Sequence, residues 1–168
     1  MLSPSLMPRL LLVLALLCAC FGAVAQQPVQ YSEAGTRLAI GGKVSIFADE
    51  SNQLSVDEVQ NSTAFKATEG RIPFVGLSSA SFWVKVPVHN NSTESNLVLE
   101  LAQPTYDHVE FFAPDGQGGF NRTELGEVVD FGPRYYKDPN YIFPLEIPTG
   151  ETRTYYLRLR QGKLAPAA

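Results

Sequence analysis

The side chains in this chain that could act on another molecule are aromatic and polar rather than nucleophilic. The single tryptophan, Trp83, lies in "SASFWVKVPVHN" (79–90). There Phe82, Val84, Val86 and Val88 share one face of a period-two pattern, and Trp83, Lys85, Pro87 and His89 share the other. Tyr106 and Asp107 sit in "QPTYD", and Arg134, Tyr135 and Tyr136 in "FGPRYYKDP". Exposed rings stack against sugar faces while charged groups bond the hydroxyls, and an arginine fork grips a carboxylate or a hydroxyl pair. Trp83, Tyr106, Asp107, Arg134, Tyr135 and Tyr136 are therefore the expected ligand contacts. Tyr156, Arg158 and Arg160 are further outward-facing candidates. For Trp83 the register also allows a core role beneath a second layer, since tryptophan is highly buried on average.

No catalytic constellation accompanies these residues. His89 and His108 fall on separate strand-like runs without metal-ligand spacing. The chain has no Gly-x-Ser-x-Gly elbow and no phosphate-cradling glycine loop. The "APDGQGG" loop offers one carboxylate, far short of the oxygens calcium takes, and reads as a hairpin. The expectation is a non-enzyme with no catalytic residue, metal or cofactor. A secreted hydrolase would need two carboxylates facing each other across a cleft.

Residues 1–25 read as a cleavable export signal. One basic residue, Arg9, precedes the run "LLLVLALLCACF" and the small-x-small ending "AVA". The run is shorter than the ~20 residues a membrane span needs. "LCAC" is a rival processing site, which would leave Cys20 lipidated. Both cysteines fall in this segment, so the remaining chain needs a true hydrophobic core and not a disulfide framework. The whole chain carries a formal charge of −4, and losing Arg9 makes it more acidic. That argues against nucleic acid or an anionic membrane surface as partner.

The elements that must position the candidate residues are strands. Residues 26–42 read as a flexible leader, 43–161 as one domain and 162–168 as a tail. "KVSIFADE" reads as a first strand, followed by a turn and by "LSVDEV", where Ser55 and Glu58 form a capping box for one short helix near 55–60. "SFWVKVPVH", "NLVLELAQ", "HVEFFAP", "FNRTELGE", "NYIFPLEI" and "RTYYLRLR" are β-rich runs joined by polar, Gly-rich or Pro-rich links. Alternation turns Leu97, Leu99 and Leu101 to one side, likewise Tyr141, Phe143, Leu145 and Ile147, and likewise Tyr155, Leu157 and Leu159. The fold class is all-β, a sandwich or barrel. Sequons at Asn61, Asn90, Asn91 and Asn121 agree with the loop assignments.

The order of "LSVDEV", "GLSSASFWVKVPVHN", "LVLELAQPTYDHVEFFAPDGQGGF", "LGEVVDFGPRYY" and "YIFPLEIPTGETRTYYLRLR" resembles one family over residues 43–161. This is the extracellular sensor domain of bacterial seven-transmembrane receptors with diverse intracellular signalling modules (7TMR-DISM, extracellular region 2). The resemblance implies a jelly-roll β-sandwich similar to carbohydrate-binding modules. It also implies periplasmic sensing of a carbohydrate or similar polar small molecule. Here the seven-helix and output regions are absent, so the membrane would be reached only through such a missing region or a lipid at Cys20. The alternative reading is an interaction module that docks a protein or forms a homodimer through the same sheet.

Overall fold

Apolar residues recurring at every second position can bury only one side of an extended chain, and paired strands result. In the computed structural model, residues 26–69, 78–102, 105–129, 136 and 138–161 are described. Among them the strands are β1 (Val29–Tyr31), β2 (Ser45–Asp49), β3 (Lys66–Ala67), β4 (Ser81–Asn90), β5 (Asn96–Leu101), β6 (His108–Pro114), β7 (Phe120–Leu125), β8 (Tyr141–Glu146) and β9 (Thr152–Arg160). The larger sheet runs β3-β2-β4-β9-β6-β7, and β5 pairs with β8 in a second sheet. Pairing is antiparallel except that β1 runs parallel to Val88–Asn90, beyond the 81–85 stretch of β4 that β2 occupies. The all-β, sandwich-type expectation holds, and each run named from the sequence is a strand.

The core lies between the sheets. Val84, Val86, Val88, Val109, Phe111, Leu157 and Leu159 of the larger sheet meet Leu99, Tyr141, Phe143 and Leu145 of the smaller. Phe111 stacks on Phe143 at 4.6 Å and on Tyr155 at 5.7 Å. Phe143 is fully buried, so its truncation to alanine would cost about 3–5 kcal/mol. The hydroxyl of Tyr155 donates to the carbonyl of Glu146 at 3.0 Å, and burial pushes its pKa up to about 12. One polar atom thus crosses the sandwich without being stranded.

The other face of the larger sheet has a layer of its own. Helix α1 (Val56–Val59) starts at the predicted capping box: the Ser55 hydroxyl accepts from the Glu58 amide, and the Glu58 carboxylate accepts from the Ser55 amide at 2.8 Å. This helix and its flanks lay Leu54, Val56, Val59 and Phe65 over Trp83, Phe112 and Tyr156. The larger sheet therefore buries apolar residues on both sides, with β2, β4, β9, β6 and β7 all contributing to this outer layer. The simple in-and-out reading of β9 is corrected here: Tyr156 is 4% exposed because this second layer covers it.

The stretch read as a flexible leader is also structured. Val29 is buried against the core as part of β1, and Gln26 accepts from the Ser45 hydroxyl at 2.6 Å while donating to the Lys43 carbonyl. Three residues are too few to show a period, which is why the strand was invisible in sequence. The "DGQGG" hairpin forms as expected between β6 and β7, with Gly116 and Gly118 at φ of 78° and 95°.

Candidate ligand-binding site

The chain connections gather several loops at one end of the sandwich. The link from β5 to β6, the exit of β7, the approach to β8 and the end of β9 all lie where β4 begins. Backbone bonds tie them together: the Tyr106 carbonyl accepts from the Glu127 amide and the Tyr141 hydroxyl, both at 3.0 Å. The Gln161 side chain reaches the Thr105 carbonyl at 3.3 Å. Gly126 lets the two loops cross, since a Cβ there would stand 1.9 Å from the Asp107 carbonyl oxygen. This contact gives the "GEVVDFGPR" glycine its physical reason.

The expected contact residues divide between surface and interior. Asp107 is half-buried at this end and Tyr136 is exposed. Arg134 and Tyr135 lie outside the described residues. Tyr106 is buried, and that burial raises its phenol pKa, so its ring supports the loop instead of facing solvent. Trp83 is corrected most: it is fully buried, its ring 5.3 Å from Phe112, beneath the α1 layer. The Arg158 guanidinium, which belongs to the charged face at this end, sits 5.4 Å over the indole.

Beside these loops the outer face of β6, β7 and β9 carries a charged cluster that the sequence reading only touched through Arg158 and Arg160. In register, Arg160 lies opposite His108, Arg158 opposite Glu110, and Glu110 opposite Glu124. Two like charges facing each other across a pair destabilise it unless something bridges them. Arg122 does so, donating through Nε to Glu110 at 2.7 Å and through Nη2 to Glu124 at 2.6 Å. His108 Nδ1 sits 2.9 Å from the other Glu124 oxygen. Burial pushes the Glu124 carboxyl up, but the His108 bond and the neighbouring Arg122, His108 and Arg160 charges outweigh it and hold the pKa low.

Glu110 is the buried hub, its side chain 6% exposed. Its Oε2 lies 3.6 Å from Arg158 Nη1 and 3.9 Å from Arg160 Nε, ion-pair distances too long for hydrogen bonds. That oxygen and the Nε groups of Arg158 and Arg160 have no hydrogen-bond partner. Asp49, 3.9 Å from Arg158, is satisfied instead by Ser51, Asn52 and Leu54. The one readable signal for this cluster was the hairpin: "DGQGG" fixes the register that sets Glu110 against Glu124 and Phe112 against Arg122.

Among the described residues, no group of three or more His, Cys, Asp or Glu side chains could hold a metal ion, and no helix is long and apolar enough to cross a membrane. The arrangement can bind through directed donors and rings. None of the curated proteins compared matches the chain. The family model described as 7TMR-DISM extracellular 2 matches residues 41–166, covering every strand from β2 to β9 and the loop end just described. The chain belongs to that family, the extracellular sensor domains of receptors.

Proposed function

We propose that this chain is the periplasmic ligand-sensing domain of a bacterial signal-transduction receptor, exported by residues 1–25, and that it takes a carbohydrate or similar polar small molecule. The site is the loop end of the sandwich: Asp107, Arg134, Tyr135 and Tyr136 with the adjoining face of His108, Arg122, Glu124 and Arg160. The observation that carries this reading is the tying of separate loops to one point beside a half-exposed charged cluster. A surface that presents rings, carboxylates and guanidinium forks together suits ligands rich in hydroxyl groups. Trp83 serves as the reporter of this site and not as a contact, since Arg158 links its ring to the cluster.

The test is tryptophan emission of the exported chain during titration with a saccharide and small-acid library. As the single tryptophan, Trp83 makes the signal unambiguous. A saturable change with one compound class, abolished in Arg134→Ala or Tyr136→Ala, is the expected result. Binding that survives both substitutions would move the site elsewhere. A mass that rises with concentration in light scattering, without any ligand response, would favour the dimerisation reading instead.

A further inference from the structure

We propose that the ligand of this end of the sandwich bears a carboxylate, in the manner of a sugar acid, and that Arg160 and Arg122 receive it. This deepens the sensor reading above and rests on it. In a chain of net acidic character, three guanidinium groups converge on the face of β6, β7 and β9. The carboxylates around them are largely committed: Asp49 to the 51–54 backbone and hydroxyl, Glu124 to His108 and Arg122, and Glu110 Oε1 to Arg122.

Arg160 is the group left over. Among the described residues its nearest carboxylate oxygen is Glu110 Oε2 at 3.9 Å, and its Nε has no hydrogen-bond partner. Its side chain is 36% exposed and that of Arg122 50%, so two guanidinium groups open to solvent on one face, beside Glu124 at 30%. Arg158 is held back at 14% exposure by Trp83 and the Asn52 carbonyl, which it reaches at 2.6 Å. It therefore offsets the Glu110 and Asp49 charges from beneath the face, with little of its own surface in solvent. A planar carboxylate matches a guanidinium fork through two parallel N–H···O bonds. The sugar hydroxyls would then meet Asp107 and Tyr136 on the adjoining loops.

The test uses the exported chain with three probes: glucuronate, glucose and inorganic phosphate, followed by heat of binding and by Trp83 emission. Glucuronate is expected to bind at least about tenfold more tightly than glucose, the range of one charge-assisted hydrogen bond. Arg160→Gln and Arg122→Gln should each remove that advantage, while Arg153→Gln, at the far end of β9, leaves it intact. Glu110→Gln removes the competing carboxylate and should strengthen glucuronate binding several-fold, a direction that unfolding cannot imitate. Equal affinity for glucose and glucuronate would overturn the carboxylate assignment and leave the sensor reading standing. Phosphate binding as tightly as glucuronate would also overturn it, in favour of a tetrahedral anion. If glucuronate binds but ignores both arginine substitutions, the placement is wrong. If none of the three binds, the sensor site itself loses its support and this inference falls with it.

Discussion

Asn90, at the end of β4, and Glu110, on β6, are about equally buried, yet their surroundings treat them in opposite ways. The Asn90 amide donates to the carbonyls of Glu94 and Ile147, both at 2.7 Å, and its oxygen accepts from the Ser92 amide and hydroxyl at 2.9 and 2.7 Å. Every position the side chain has is filled. Glu110 has one oxygen filled by Arg122 and the other at 3.6 and 3.9 Å from two arginines that it does not bond. A buried polar group left short of partners costs free energy, so a fold selected for stability alone would resolve it. The saturated cluster reads as architecture, tying the 90–95 loop to Ile147. The unsaturated one lies beside the loop end proposed to bind.

Breaking the saturated cluster should have the largest effect. Asn90→Ala leaves the Ile147 and Glu94 carbonyls and the Ser92 amide without their side-chain partner at a site that is fully buried. The expected loss is about 3 kcal/mol or more, roughly 10 °C in Tm by scanning calorimetry. Ligand affinity at the far end should not move. The same substitution logic at the hub gives a smaller number. Glu110→Gln keeps an oxygen for Arg122 Nε but leaves three guanidinium groups less neutralised, two of them partly in water. A loss of about 1–2 kcal/mol is expected, read from urea midpoints. If Glu110→Gln cost more than Asn90→Ala, the hub would be the structural cluster and the contrast would be inverted.

Acid sharpens the comparison because only one of the two clusters contains acids. Burial raises the Asp49 carboxyl, but bonds from the Ser51 hydroxyl and the Leu54 and Ser51 amides, with the Arg158 charge, bring it below its ordinary value. Glu124 is likewise held low. A carboxylate with a depressed folded-state pKa stabilises the fold at neutral pH, and this contribution disappears as pH falls below about 4, through the folded value. Urea midpoints should therefore drop on acidification, and the drop should shrink in Asp49→Asn. In Asn90→Ala, which touches no carboxylate, the pH dependence should match that of the unaltered chain.

How much of this was readable from sequence follows from how local each signal is. The capping box at Ser55 and Glu58, the glycine hairpin and the alternation in β5, β8 and the inner side of β9 are set by neighbours in the chain, and each appears in the structure where expected. Tyr156 was misplaced, and Trp83 was left open between core and contact, because what covers them is the α1 layer, which the strand pattern does not reveal. Period two tells which side of a strand a residue occupies, not whether that side meets solvent. The charged hub was hidden for a related reason. Glu110, Arg122 and Arg158 come from three strands, and only the order β9-β6-β7 brings them together. The family resemblance, by contrast, rested on motif order along the chain and needed no tertiary knowledge.

The smallest effect should come from a site that belongs to neither cluster. Ser55 is exposed, and its hydroxyl caps a helix of a single turn while Glu58 reaches back to its amide. Ser55→Ala should cost about 1 kcal/mol and Ser55→Gly only a few tenths, because a lost cap bond at the surface is replaced by water. The informative reading is optical. Val59 of this helix packs over Trp83, so fraying of α1 lets water approach the indole and shifts its emission to the red. A red shift in Ser55→Ala, with unchanged glucuronate affinity, would mean that the α1 layer and the charged hub are independent halves of the same sheet face. If affinity fell along with it, Arg158 would couple them through its contact with the Trp83 ring, and the unsatisfied cluster could no longer be treated as separate from the layer beside it.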